Sequence, residues 1–193
     1  MRPHGEPSNF KGRFTNCRVS LPRRHPFELL ETRHLLANLV ISEVHYHPQN
    51  ASAEEFAAGF RDPRQFEFVE VTNVSDQILD LADYRLAKTI SDESEQGIAF
   101  EFSAGQIDSL DPGERAVIAG DSRAFQARYG RDVPLAGTWS GELRDDTSTL
   151  RLMFKQEIEQ QFTYHAEWYP TSNGAGFSLE VVNFGDFDFL FLR

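Results

Sequence analysis

Cysteine is almost absent from this chain, because Cys17 is the one cysteine among its 193 residues. A single cysteine cannot form an internal disulfide, and Cys17 precedes the segment after Leu39 in which a folded domain is expected. The body of the protein therefore has no thiol nucleophile and no cysteine-based zinc site. A chain of this length can instead bury a core large enough to hold one domain together.

Long apolar runs and basic residues in the body are scarce as well. No stretch approaches the roughly 18 uninterrupted apolar residues of a membrane span. Residues 1–38 hold seven Lys or Arg against three acidic residues, whereas residues 39–193 hold twelve against twenty-seven. An acidic body repels phosphate backbones, so nucleic-acid binding is disfavoured and cationic partners fit better.

The basic leader, residues 1–38, predicts disorder over its first part. Residues 1–26 are rich in Pro, Arg, Asn and Ser without a period of 2 or 3.6. Residues 27–37 carry apolar residues at helical spacing, but Glu28, Glu31 and Arg33 interrupt the run that an ordinary signal peptide needs. A short amphipathic helix packed on the body is the alternative interpretation.

After Leu39 the pattern changes to short alternating runs of Val, Ile, Phe and Tyr between turn residues, which indicates half-buried β-strands. A helix is predicted over 122–129, with Asp121 as N-cap and Gly130 at its end. Asp111-Pro112-Gly113-Glu114 predicts a tight turn. The fold class is therefore all-β, a sandwich with one short connecting helix. The predicted strands are 39–47, 65–73, 81–89, 98–102, 115–119, 149–154, 159–165 and 176–182.

Six motifs in order resemble the lamin tail domain, an immunoglobulin-like sandwich, over residues 39–182. They are the opening strand Leu39 to Pro48, Phe66 to Asn73, Leu79 to Leu86, Phe100 to Gly105 followed by Leu110-x-Pro112-Gly113-Glu114, Asp146 to Leu152, and Gly174 to Glu180. Tyr84 stands where the family usually has tryptophan. The resemblance implies an interaction module, and bacterial members of this family often accompany enzymatic domains.

The leader has a resemblance of its own. A basic stretch followed by Phe27, Glu28, Leu30, Glu31, Arg33, Leu35, Leu36 and Ala37 resembles the N-terminal sorting segment of planctomycete extracellular proteins. That resemblance implies export to the cell surface or beyond. We expect an extracellular or cell-surface protein.

Two constellations on the predicted sheet raise the question of chemistry. Glu43, His45 and His47 alternate along the first strand and, with Glu70, offer metal ligands, but a single strand supplies only in-line ligands whereas zinc needs a tetrahedral set. Glu43 and Glu70 also raise a paired-carboxylate interpretation. In the resembled family these glutamates are structural positions, so we expect no catalytic, cofactor or metal site.

Two further sets of side chains could bind ligands. Asp145-Asp146 and the run Ser91 to Glu95 could hold Ca²⁺, although neither has the spacing of a calcium loop and solvated turns are the favoured interpretation. Trp168-Tyr169-Pro170, with Phe162 and Tyr164 nearby, could form an aromatic platform for a sugar or peptide, but packing beneath its own loop is favoured.

Two segments depart from the family pattern. Residues 49–63 form a longer insertion after the first strand than the family usually has, and long loops are often functional. The apolar tail, residues 183–193, alternates Phe and Asp with a strand's period of 2, so it is expected to add to a sheet edge or to promote self-association.

We therefore expect a non-enzymatic extracellular or cell-surface interaction or adhesion module that binds a protein or glycan of the cell envelope. The alternative is an accessory domain of a larger exported enzyme, such as a nuclease, a phosphatase or a spore-coat-type kinase-like protein. Chromatin contact, as in the eukaryotic lamin branch, is opposed by the acidic body.

Overall fold

The computed structural model describes residues 37–91, 94–183 and 188–189. The predictions of a disordered leader and of a sorting segment fall on residues 1–36, which lie outside the described residues. Ala37 and Asn38, which the sequence assigned to the leader, belong to the sandwich: Ala37 is buried, and the Asn38 carbonyl accepts a hydrogen bond from the Val74 amide.

The described residues form an all-β architecture. Its strands are β1 (Leu39–His45), β2 (Phe68–Asn73), β3 (Leu79–Asp80), β4 (Tyr84–Leu86), β5 (Thr89–Ser91), β6 (Ser94–Glu101), β7 (Ser109–Leu110), β8 (Arg115–Ala119), β9 (Leu135–Thr138), β10 (Ser140–Glu142), β11 (Thr147–Phe154), β12 (Glu157–His165), β13 (Leu179–Asn183) and β14 (Asp188–Phe189). The α-helices are α1 (Ala53–Ala57) and α2 (Ser122–Tyr129), and 3-10 turns cover Pro63–Phe66, Phe102–Ala104 and Pro170–Ser172.

The strands pair into two main sheets. The first has the order β14-β13-β1-β2-β8-β9, and the second has the order β10-β6-β4-β11-β12, with β5 added to β6. Strands β3 and β7 form a small separate pair. Neighbouring strands run antiparallel except for β8 and β9, which are parallel. The predicted immunoglobulin-like β-sandwich is confirmed.

The core lies between the sheets, and a bulge decides which residues of β1 enter it. Leu39 and Ile41 point into the core, then the register shifts between Ile41 and Glu43, so Val44 and Tyr46 point into it next. On β2 the core side chains are Val69 and Val71. The bulge leaves Glu43 and His45 on the outer face of the first sheet.

The predicted helix is confirmed as α2, with both ends as expected. The Asp121 carboxylate accepts the amides of Arg123 and Ala124 at 2.9 and 3.0 Å, and Gly130 follows the last turn with φ +95°. Phe125 of α2 packs on Phe68 of β2, ring centroids 5.5 Å apart. The helix therefore covers the outer face of the first sheet.

The strand predictions failed in several places. The predicted strand 81–89 is interrupted: a turn precedes β4, which covers only Tyr84–Leu86, and β5 begins at Thr89. Residues 65–67 do not open β2, because Pro63–Phe66 forms a 3-10 turn that the Asp62 side chain caps. Strands β9 and β10 were not predicted, since Gly137, Ser140 and Gly141 remove the alternation of apolar residues that marks a strand.

The other turn and strand predictions hold with small shifts. The Glu114 amide donates to the Asp111 carbonyl at 2.9 Å, and Gly113 has φ +79°, as the predicted turn requires. The last predicted strand begins later, at Leu179, and pairs with β1. Beyond it, Asp188–Phe189 pairs antiparallel with β13, so these two tail residues show the expected edge addition.

Within the ranges that the structure describes, every helix is too short or too polar to cross a membrane.

Candidate binding cleft

A cleft of about 310 Å³ opens on the outer side of the first sheet, at the end of β1. Its walls come from three parts of the chain: His45 at the end of β1, the insertion with Gln49, Asn50, Ser52 and Glu55, and the last turn of α2 with Arg128 and Tyr129. Gly176, from the loop before β13, completes the rim. The insertion that departs from the family pattern thus builds one whole wall.

Arg128 fixes the insertion to α2. Its guanidinium donates to both carboxylate oxygens of Glu55 at 2.8 Å, and both side chains are only 15% exposed. It also donates to the Gln49 carbonyl at 2.9 Å and lies 3.4 Å from the centroid of the Phe66 ring. A paired, planar fork of this kind gives the insertion a defined position.

A capping box at the start of α1 holds the Glu55 side chain in position. The Ser52 hydroxyl accepts the Glu55 amide at 3.2 Å, and the Glu55 carboxylate accepts the Ser52 amide at 2.7 Å, which forms a capping box. The hydrogen bond from Arg128 lowers the pKa of Glu55 to about 2. Glu55 is therefore ionised at neutral pH, and Arg128 balances its charge.

His45 is the least exposed polar side chain of the cleft, at 4% exposure. Its Nδ1 lies 3.0 Å from the Tyr129 hydroxyl, which donates to the Phe66 carbonyl at 3.2 Å. The Tyr129 hydroxyl thus links the His45 ring to the backbone of the turn before β2. Nε2 is buried as well, and no described residue forms a hydrogen bond with it.

Burial keeps this imidazole neutral. It lowers the pKa of His45 to about 4, with smaller contributions from the positive charges of Arg128 and His47. At neutral pH His45 is therefore uncharged.

The rim opposite the insertion depends on a glycine. Gly176 has φ +92°, and a Cβ there would come within 2.9 Å of the Gln49 side chain. The Gln49 amide donates to the Ala175 carbonyl at 2.7 Å. The loop before β13 thus approaches the insertion closely enough to close this side of the cleft.

The residues considered as metal ligands each have a different partner. Glu43 bonds the Ser178 hydroxyl, and His47 Nδ1 bonds the Asn173 side chain. Glu70 accepts from the Ser42 hydroxyl at 2.7 Å and from Arg115 at 3.1 Å. Over the ranges that the structure covers, no group of three His, Cys, Asp or Glu side chains is placed to hold a metal ion.

Glu43 and Glu70 are direct neighbours on paired strands, as the carboxylate interpretation required. Burial raises the pKa of Glu43, and the charges of Glu70 and Glu180 raise it further. Glu70 is held by an arginine and a serine. Both carboxyl groups thus take part in a local network on the sheet surface and are not directed into the cleft.

The acidic turns and the aromatic residues that were considered as ligand-binding groups have partners within their own turns or in the core. Asp146 pairs with Arg144 at 3.0 Å, which lowers the pKa of Asp146 to about 2. Glu95 pairs with Lys88 at 3.5 Å, while residues 92–93 of that acidic run lie outside the described ranges. Of the aromatic platform, Tyr164 is buried and stacks on Tyr46, whereas Trp168 is 44% exposed.

The sequence did not reveal Arg128 or Tyr129 as site residues. Both sit in α2, which the sequence predicts only as a connecting helix. One signal pointed to the insertion, since Ser52-x-x-Glu55 is the sequence pattern of a capping box. That pattern predicts an ordered helix where a long loop was expected.

Comparison with known proteins gives one result. The family model of the lamin tail domain matches residues 34–165, and no curated protein matches the chain. This family is immunoglobulin-like, typically non-catalytic, and often mediates protein interaction. The match spans β1 to β12, which includes the insertion and α2. The chain therefore belongs to the lamin tail domain family.

Proposed function

We propose that this chain is a non-enzymatic interaction module that acts outside the cell or on its surface. The observation that carries this proposal is the match to the lamin tail domain family, which often mediates protein interaction. The cleft adds support, because the ordered insertion gives it a fixed wall rich in amide and hydroxyl groups.

The chemistry of the cleft favours binding over catalysis. A catalytic base needs a pKa near the operating pH, whereas burial holds the pKa of His45 at about 4. Ser52 has no histidine or lysine base among its hydrogen-bond partners: it caps α1 through Glu55. Glu55 and Arg128 neutralise each other.

The extracellular part of the proposal is supported by the leader. Residues 27–37 resemble a sorting segment for export. The partner that fits best is a component of the cell envelope. Nucleic acid fits poorly, because residues 39–193 carry a large excess of acidic side chains.

Fractionation of the cells that make the protein tests its location. We expect the full chain in the envelope or medium fraction, and its loss when intact cells are treated with an added protease. A cytosolic marker protein, assayed in the same samples, must survive the protease. Recovery of the chain only with that marker would overturn the extracellular proposal.

A further inference from the structure

A groove of about 510 Å³ lies at an edge that the two main sheets share. One wall is the end of β6, residues 99–101, and the other is residues 136–140, which run from β9 into β10. β9 is the last strand of the first sheet, and β10 is the last strand of the second. The groove has no lining residue in common with the cleft at the end of β1.

The end of β6 has a strand on only one side. β10 pairs with β6 from Gly97 to Ala99 and goes no further, whereas β4 pairs with Phe100 and Glu101 on the other side. No described strand lies beside Phe100 and Glu101 on the side of β10. A strand without a neighbour presents backbone N–H and C=O groups that an extended chain can bond. The groove therefore runs along a short open strand edge.

Aromatic side chains give the groove a partly apolar floor. Phe100 is buried, Trp139 is half-buried, and both line the groove. A Cβ on Gly137 would come within 2.6 Å of the Phe100 ring, so the glycine allows the main chain of β9 to lie directly on this ring. A small aliphatic side chain of a ligand would bury apolar surface against this floor.

Glu101 gives the groove its charge. It is the one charged side chain among the described residues that line the groove, and it is exposed. Its neighbour across the strand pair is Arg85, but the Arg85 guanidinium donates to the Lys155 carbonyl and forms no ion pair with Glu101 among the described contacts. The body around the groove is acidic as well. A basic side chain therefore complements this edge.

We propose that this groove binds an extended peptide segment of a partner protein, which pairs antiparallel with the end of β6 and carries a basic residue opposite Glu101. Side chains alternate between the two faces of a strand, so the adjacent peptide residue lies opposite Phe100 and faces the apolar floor. The partner sequence is therefore a small aliphatic residue next to lysine or arginine. This inference goes beyond the proposed interaction function, because it assigns a second surface and the chemistry of its partner.

Titration of the full-length protein with a capped pentapeptide of alternating valine and lysine, followed by ¹H–¹⁵N NMR, tests this inference. We expect saturable shifts of the backbone amides of Phe100, Glu101 and Gly137, as strand addition to an open edge requires. The same peptide N-methylated throughout should not bind, because it lacks the main-chain donors that strand pairing needs. A peptide with glutamate in place of each lysine should bind more weakly.

Two pairs of variants locate the peptide. Glu101→Lys should bind it about fivefold more weakly, because an exposed ion pair is replaced by a repulsion. Glu157→Lys is the matched control, since Glu157 is also an exposed strand residue but does not line the groove. Ala104→Gln should also weaken binding, because Ala104 is exposed and lines the groove, so the longer side chain fills it. Ser103→Gln, on the same exposed turn but outside the lining, should bind like the wild type.

The absence of saturable shifts in the wild type, or shifts confined to residues outside the groove, would overturn the inference. Equal losses of affinity in Glu101→Lys and Glu157→Lys would do so too, because the attraction would then come from net charge alone. Undiminished binding of the N-methylated peptide would exclude strand pairing. Shifts of the groove amides when the protein alone is concentrated would assign the groove to a second copy of the chain and overturn the peptide assignment.

Discussion

At the scale of single residues, Arg128 is the side chain on which the insertion depends most. Replacing it with alanine would leave the largely enclosed Glu55 carboxylate without its partner. We expect Arg128→Ala to lower the free energy of unfolding by about 3 kcal/mol or more, the range found when one partner of a buried pair is removed. Chemical denaturation measures this change.

Arg123→Ala is the control for that measurement. Arg123 lies on the same helix but is exposed, with its guanidinium 6.0 Å from the Phe60 ring centroid. Its replacement by alanine should lower the free energy of unfolding by less than about 1 kcal/mol. Equal losses for the two variants would show that the buried ion pair does not stabilise the fold.

The lowered pKa of His45 predicts that the free energy of unfolding falls in mild acid. In the unfolded chain histidine titrates near pH 6.5, whereas burial lowers the pKa of folded His45 to about 4. The unfolded state therefore binds the proton first, and stability falls as pH drops from about 6.5 to 4. The free energy of unfolding should fall by on the order of 3 kcal/mol over this pH range. His45→Phe should not show this fall, and urea titrations at several pH values measure the difference.

The raised pKa of Glu67 predicts that the free energy of unfolding depends on pH in the opposite direction. Burial raises the pKa of this carboxyl to about 9, helped by the charge of Asp145, and its Oε1 has no hydrogen-bond partner among the described residues. An unfolded glutamate releases its proton near pH 4.3, so stability falls as pH rises from there towards 9. The stability of Glu67→Gln relative to the wild type should therefore increase as the pH rises. A difference in the free energy of unfolding between the two proteins that does not change with pH would contradict this assignment.

At the scale of elements, the packing of α2 on β2 makes two phenylalanines interdependent. Phe68 is 8% exposed and lies beneath α2, beside Phe125, on the outer face of the first sheet. We expect Phe68→Ala to cost about 3 to 5 kcal/mol. The double variant Phe68→Ala, Phe125→Ala should lose less free energy of unfolding than the two single variants lose together, because each single change already removes the contact between the two rings.

A stability change near zero for Phe68→Ala would mean that the helix does not cover this strand. The element that covers this strand could not be predicted from the sequence, because both faces of residues 66–71 carry apolar side chains. Only the bulge in β1 and the docking of α2 settle which face meets the other sheet.

The elements that could be predicted from sequence are those with strong local signals. Asp121 and Gly130 mark both ends of α2, and the alternation in residues 39–45 and 68–73 marks β1 and β2. Strands β9 and β10 lack such a signal, and pairing with β8 and β6 forms them. The cleft could not be predicted either, because its walls meet through contacts between residues more than 70 positions apart.

At the scale of the whole molecule, β14 covers the outer edge of β13. Removing residues 184–193 would expose that edge, and exposed edges pair with other chains. We expect the shortened protein to associate more readily than the full chain, as light scattering over a concentration series can measure. Association of the full chain that disappears on truncation would instead assign the tail to self-association.

We expect this lamin tail domain protein to bind an envelope component through the cleft at the end of β1. Sedimentation of purified full-length protein with isolated cell envelopes tests it most directly. We expect saturable binding by the wild type and by Arg123→Ala, and weaker binding by Arg128→Ala at equal folded fraction, because Arg128 holds the wall of the cleft in place. Failure of the wild type to sediment with the envelopes would contradict the claim.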